Sequence, residues 1–387
     1  MIKDIPQGYK VSPLGIIPKE WEVKRILDFA PLQRGFDLPT DKIISGKYPV
    51  VYSNGILNHH CECKAKGPGV VTGRSGTIGK VTYVESDYWP HNTSLWVTDF
   101  CGNNPKFVFH VYQYIDLSKF ASGSGVPTLN RNDVHVSKVA VPPKQEQNRI
   151  VEVLELWDTA IEKQSELIEK LKLRKSALMQ QLLTGKKRLP GFNGGWKHVP
   201  IKTFAKEVSN RNVGRANHIV LSCTKYDGLV PSLEYFGKQI YSNDLSSYKI
   251  IPQGHFAYAT NHIEEGSIGY QSNYENGLIS PMYTVFVTNK EKVKDTFLYS
   301  VLKSHHLIYL YKSMMEGSIN RRGGLRWDSF STIKIDLPSL EEQNVIASVL
   351  VKADEEIELA KEKLSNLQAQ KRGLMQQLLT GKKRVIE

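Results

Sequence analysis

The eleven residues LMQQLLTGKKR stand twice in this chain, at 178–188 and again at 374–384, an offset of 196 positions in a chain of 387 residues. Pro142 and Pro338 share that offset, as do Glu146-Gln147-Asn148 and Glu342-Gln343-Asn344, and Ile150 and Ile346. An in-register repeat of about half the chain is a tandem duplication, and each copy has to form the same kind of unit. Two similar surfaces acting on two similar targets is the simplest use of such an arrangement.

The repeated segments carry a second periodicity. Residues 144–184 contain neither Gly nor Pro, and their apolar side chains fall at alternating spacings of four and three. The series is Ile150, Leu154, Trp157, Ile161, Gln164, Ile168, Leu171, Lys175, Leu178, Leu182. Shifted by 196 it becomes Ile346, Leu350, Ala353, Ile357, Ala360, Leu364, Leu367, Lys371, Leu374, Leu378. A seven-residue period kept over several heptads predicts a coiled-coil seam. Lys175 and Lys371 interrupt the seam at the same step, either fixing register or snorkelling out of it. Prolines precede both helices, and Ser339 with Glu342 predicts a capping box. Gly185 and Gly381 suit a left-handed C-terminal cap, and the cations after them suit the negative end of the helix dipole. Gly373 lies inside the second helix and weakens it by about 1 kcal/mol relative to Ala. Neither helix buries its stripe alone, so the two are expected to pack antiparallel as a spacer about 60 Å long.

Between the helices the composition changes. Short β-branched and aromatic runs such as Tyr48-Pro-Val-Val-Tyr52, Lys80-Val-Thr-Tyr-Val84 and Tyr283-Thr-Val-Phe-Val287 are broken by Gly, Pro, Asn and Ser, with a helical stretch at 295–303. This predicts mixed domains of the α/β (α+β) class. The expected organisation is a globular domain over 1–143, a long helix over 144–184, a second globular domain over 185–338, and a second long helix with its tail over 339–387. The domains match only in outline: Gly76-Thr-Ile-Gly79 answers Gly266-Ser-Ile-Gly269, Trp21 answers Trp196, and the run from Gly123 to Leu129 answers that from Gly317 to Leu325.

Charge points to a partner. The formal net charge is +12, of which residues 1–143 hold +4 (16 basic, 12 acidic) and residues 189–338 hold +5 (17 basic, 12 acidic). Excess positive charge in the two globular blocks fits a polyanion, nucleic acid first, against the plain alternative of solubility charge. Four cysteines without framework spacing, and an N-terminal stretch with no apolar core, fit a reducing cytoplasm. No run is long and apolar enough to span a membrane.

Several segments carry candidate chemistry. Gly73-Arg-Ser-Gly-Thr-Ile-Gly79-Lys80 is not a nucleotide-triphosphate loop, because Arg74 and Val81 stand where Gly and Ser/Thr are required. It suits a Gly-rich loop that brings Arg74, Ser75, Thr77 and Lys80 to a phosphate or a base edge. Ser267 and Tyr270 are the matching candidates in the second half. Asn130 and Arg131, and later Asn320, Arg321, Arg322 and Arg326, combine side chains that pair with adenine, guanine and phosphate. Solvated loop charge is the competing reading. Asn92, Asn261 and His262 are weaker candidates of the same kind. His59-His-Cys-Glu-Cys63 lacks a second ligand pair for zinc, and alternation places Cys61 and Cys63 on one strand face. No nucleophile elbow, zinc-protease helix or dinucleotide fingerprint is present, so no catalytic or metal residue is assigned.

Two divergent α/β domains, each followed by a nearly identical long helix, resemble the specificity (S) subunit of a Type I restriction–modification system. The paired Pro-x-x-x-Glu-Gln starts, the paired Leu-Met-Gln-Gln-Leu-Leu-Thr-Gly-Lys-Lys-Arg ends, the Gly-Thr-Ile-Gly and Gly-Ser-Ile-Gly loops and the Trp21 and Trp196 openings carry the resemblance across essentially the whole chain. It implies two target recognition domains, each reading half of a bipartite, asymmetric site in double-stranded DNA. It also implies helices that set the spacing and dock two methyltransferase subunits, which motor–nuclease subunits join. The chain would hold no cofactor; its partners would use S-adenosylmethionine, ATP and Mg. A duplicated coiled-coil scaffold that binds only proteins, or an enzyme with an unfamiliar site, remain the alternatives.

Overall fold

The computed structural model describes residues 5–123, 126–316 and 324–385. The chain forms two compact units, one of residues 1–166 with 361–387, the other of residues 167–360. Each unit therefore holds one globular domain, the near part of one long helix and the far part of the other. The first long helix runs Lys144–Leu182 and the second Leu340–Leu378.

In the first unit a four-stranded sheet has the order Leu32–Arg34, Ser94–Val97, Gly69–Gly73, Val81–Val84. Helix Pro105–Tyr114 lies against it, opened by Asn104, whose side chain accepts from the Lys106 and Phe107 amides. In the second unit the sheet Ala205–Val208, Tyr283–Thr288, His255–Ala259, Ile268–Tyr270 has the same topology, and helix Asp295–Leu302 packs on it. Strand pairs Glu22–Arg25 with Lys138–Val141, and Lys197–Pro200 with Lys334–Leu337, close each domain beside its long helix.

The helix segments join the domain cores. In the first unit Ile150, Leu154, Met375 and Leu378 are buried with Trp21, Phe29, Phe107 and Tyr112. In the second, Leu182, Ile346 and Leu350 are buried with Phe256, Phe286, Phe297 and Phe330. All twenty seam positions are buried or half-buried and none is exposed, including Trp157, Ile161, Ile168, Leu171, Leu178, Ile357, Leu364, Leu367 and Leu374. Apolar burial of this kind is what holds such helices down.

The seam lysines do not point freely into water. Lys371 Nζ reaches Asp158 Oδ1 at 2.5 Å in the first unit, and Lys175 Nζ reaches Asp354 Oδ1 at 2.5 Å in the second. Both members of the pair obey the 196-residue offset.

Paired ion bridges also explain the duplicated helix ends. In the first unit Arg384 donates to both Glu146 oxygens (3.1 and 2.8 Å), and the Trp21 indole donates to the same carboxylate at 2.9 Å. In the second, Arg188 donates to both Glu342 oxygens (2.7 and 2.8 Å), and Trp196 donates at 3.3 Å. Because Arg384 pairs with Glu146 while Lys371 pairs with Asp158, the helix segments in that unit run antiparallel; Arg188–Glu342 and Lys175–Asp354 give the same direction in the other. The terminal arginines thus serve a buried carboxylate rather than the helix dipole alone. The capping box is only half made: the Glu342 amide donates to Ser339 Oγ at 3.3 Å, but the Glu342 carboxylate is taken by Arg188 and Trp196. The neighbouring glutamines lock each domain to its helix. Gln147 accepts from the Asn104 amide and donates to the Pro142 carbonyl, and Gln343 does the same with Lys294 and Pro338.

Candidate nucleic-acid interface

In the first unit the loop 74–80 joins strands Gly69–Gly73 and Val81–Val84. The Arg74 and Ser75 amides donate to the Thr93 carbonyl (2.9 and 3.2 Å), and the Leu129 amide donates to the Arg74 carbonyl at 2.7 Å. These bonds gather three candidate segments at one end of the sheet: Arg74 to Lys80, Asn92, and Asn130 with Arg131. Thr77, Lys80 and Asn130 are exposed, and Arg74, Ser75, Asn92 and Arg131 half-buried. Several are already engaged. Lys80 Nζ donates to the Asn54 carbonyl at 2.5 Å, Asn92 to Asp37, and Arg131 to Gln33. Asn130 Oδ1 caps helix Arg131–His135 by accepting from the Asn132 amide. Nearby, burial pushes the His91 imidazole below its usual pKa, favouring a neutral ring tilted against that of Tyr52 with centroids 4.3 Å apart.

The second unit repeats this frame. The Leu325 amide donates to the Thr260 carbonyl at 2.8 Å, as Leu129 does to Arg74, and Leu325 lies 196 residues after Leu129. Arg326 opens helix Trp327–Phe330 at the position that Asn130 holds in the first unit. The approach is close: a Cβ on Gly324, whose φ is +62°, would lie 2.3 Å from Asn261 Oδ1. Asn261 and Arg326, both exposed, thereby share one cleft of about 410 Å³ with Glu207, Lys249, Trp327 and Asp328. Lys249 is half-buried, and its ammonium donates to the Tyr283 carbonyl at 2.6 Å.

Other candidates fall elsewhere. Ser267 is buried, and Ile268–Tyr270 is a sheet strand rather than a loop. The Tyr270 ring packs 4.8 Å from Phe256, and burial beside Asp295 pushes its phenol up to about 12. Both build the domain's interior, so the Gly-Ser-Ile-Gly segment does not repeat the role of Gly-Thr-Ile-Gly; the counterpart of loop 74–80 is 260–267. His262 is exposed, and with Glu264 and Glu265 it forms the one grouping of ligand-type atoms among the described residues, all within 4.8 Å. Carboxylates on an exposed turn commonly sit this way without an ion. Asn320, Arg321 and Arg322 lie outside the described residues. The strand ahead of the cysteines ends at His60, leaving Cys61 exposed and Cys63 half-buried beyond it, so alternation does not govern them. Glu207, Lys249, Trp327 and Asp328 carry no signature in the sequence, because they are dispersed over more than a hundred positions with no shared spacing.

A duplicated domain whose two copies carry different loops at one sheet end, on a strongly repeated helical frame, defines a tandem-repeat protein. The Type I restriction modification DNA specificity domain matches residues 18–173 and 202–369, and the chain belongs to that family. It is 25% identical over 293 residues to the Type I restriction enzyme MjaVIII specificity subunit of Methanocaldococcus jannaschii, covering 70% of this chain and 67% of that one. The putative MjaX specificity subunit of the same organism is 23% identical across 98% of this chain and 97% of its own. Among solved structures, the Type I restriction–modification S subunit from M. genitalium superposes with a TM-score of 0.56 at 14% identity, covering 93% of this chain and 96% of that one. A chain from a structure of complex assembly and conformational transition in the type I R-M system gives 0.58 at 15% identity, covering 94% and 99%. At such identities the likeness shows the fold. The chain is a DNA specificity subunit of the Type I class. No helix among the described residues is long and apolar enough to cross a membrane.

Proposed function

We propose that each globular domain reads one half of a bipartite, asymmetric site in double-stranded DNA, and that the paired helices fix the gap between the halves. The observation that carries this is the repeated loop frame, Arg74 to Leu129 in one unit and Thr260 to Leu325 in the other, filled by different side chains. One backbone arrangement with two chemistries suits two different base sequences. Lysines and arginines around the frame hold phosphates, and groove-facing side chains discriminate bases.

The chain acts without catalysis of its own. Two methyltransferase subunits dock on the helices and motor–nuclease subunits join them; S-adenosylmethionine, ATP and Mg belong to those partners. Leu156, Leu173 and Leu359, exposed on the long helices at 71%, 71% and 66%, support a docking role there.

The test is to co-express the chain with its genomic neighbours and map methylated adenines with and without it. A split motif that vanishes with the gene supports the proposal. Absence of gene-dependent methylation, with active partners present, favours the protein-binding scaffold.

A further inference from the structure

The cleft of the second unit carries a feature that its loop frame does not require. Two carboxylates, Glu207 on strand Ala205–Val208 and Asp328 on helix Trp327–Phe330, are exposed and line it together. The half-buried Trp327 supplies a flat aromatic wall.

Beside the two carboxylates a phosphate is disfavoured, and Arg326, exposed on the same cleft, is the group left to hold one. The Lys249 ammonium already bonds the Tyr283 carbonyl, and two carboxylates repel an anion. Ionised carboxylates only accept hydrogen bonds, so they select a donor. On base edges in the major groove the donors are the exocyclic amino groups of adenine and cytosine. The first unit differs at the same frame positions: Asn130-Arg131-Asn132 stands where the second has Arg326-Trp327-Asp328. Arginine and asparagine there offer donors, with Arg131 held by Gln33.

We infer that the Glu207–Asp328 cleft is the specificity-determining contact of the second domain, accepting a hydrogen bond from the amino group of one adenine or cytosine in its half-site. This rests on the DNA-reading function proposed above.

The experiment compares Glu207→Gln and Asp328→Asn with the unaltered chain, each assembled with its partner subunits. Methylated motifs are mapped in the host, and duplexes varied at single positions compete for binding in vitro. The unaltered chain giving a split motif keeps the reading of DNA secure whatever the variants do. Expected is a loss of about tenfold in discrimination at one A- or C-specified position of one half-site, with the other half and the gap unchanged. Both side chains are exposed, so the substitutions remove no core packing, and the untouched half-site reports that the complex has assembled. An unchanged preference at every position overturns the inference. So does a weakening spread evenly over all sequences, which is the signature of a phosphate contact.

Discussion

Arg188 gives the sharpest test of how the helix ends hold a domain. It bonds both oxygens of Glu342, whose side chain is 2% exposed, while Arg188 itself is 28% exposed. Removing one partner of a buried pair costs about 3–5 kcal/mol, because the other charge is left desolvated. The two partners are unequal. Arg188→Ala strands Glu342 with only the Trp196 indole, so its cost is about 3 kcal/mol, whereas Glu342→Ala leaves an arginine that water can reach, at about 2 kcal/mol. A deficit of about 3 kcal/mol raises the local opening constant roughly 150-fold. Amide hydrogen exchange around Trp196 and the start of helix Leu340–Leu378 reads that opening, and the intact Arg384–Glu146 pair in the other unit is the internal reference. Protection equal to the unaltered chain, or both variants equally weakened, would refute the idea that a desolvated carboxylate is what the arginine holds.

At the seam, Lys371 is 10% exposed and its partner Asp158 is 45% exposed. Asp158→Ala should therefore destabilise by about 1–3 kcal/mol, while Lys371→Met is neutral or stabilising; thermal unfolding that ranks them the other way counts against a desolvated ammonium. Gly373 is exposed in a helix interior, and a Cβ added there would meet nothing within 4 Å, so Gly373→Ala should stabilise by about 1 kcal/mol in denaturant titration. Deleting one heptad from each long helix removes about 10.5 Å, or about three base pairs. Motif mapping should then show a shorter gap or no site at all, and an unchanged gap would sink the idea that the helices set it.

The helices were legible in the sequence because a seven-residue period states which face is buried, and a duplication states it twice. Strands such as Tyr48–Tyr52 and Tyr283–Thr288 were legible from β-branched and aromatic runs. The clamps were not. Glu146 lies 125 residues from Trp21 and 238 from Arg384, and nothing local says that one carboxylate serves both others. The candidate interface divides in the same way. Arg74 and Arg326 stood out by residue type, but similarity of Gly-Ser-Ile-Gly to Gly-Thr-Ile-Gly misled, because in the second domain the strand begins at Ile268 and draws Tyr270 onto Phe256. Residue type suggests what a loop can touch; only the sheet register decides which way its side chains face.

The division of the chain into residues 167–360 on one side and residues 1–166 with 361–387 on the other bears on synthesis. The second unit leaves the ribosome as one continuous stretch and has every one of its contacts available at once. The first emerges earlier yet lacks Lys371, Met375, Leu378 and Arg384 until the whole second unit has been made. During that interval Glu146 and the apolar flank of Ile150 and Leu154 have no helix to meet, so the domain made first is the one completed last. A chain interrupted after residue 360 would retain a finished second domain and an unfinished first one, which places the order of maturation opposite to the order of translation.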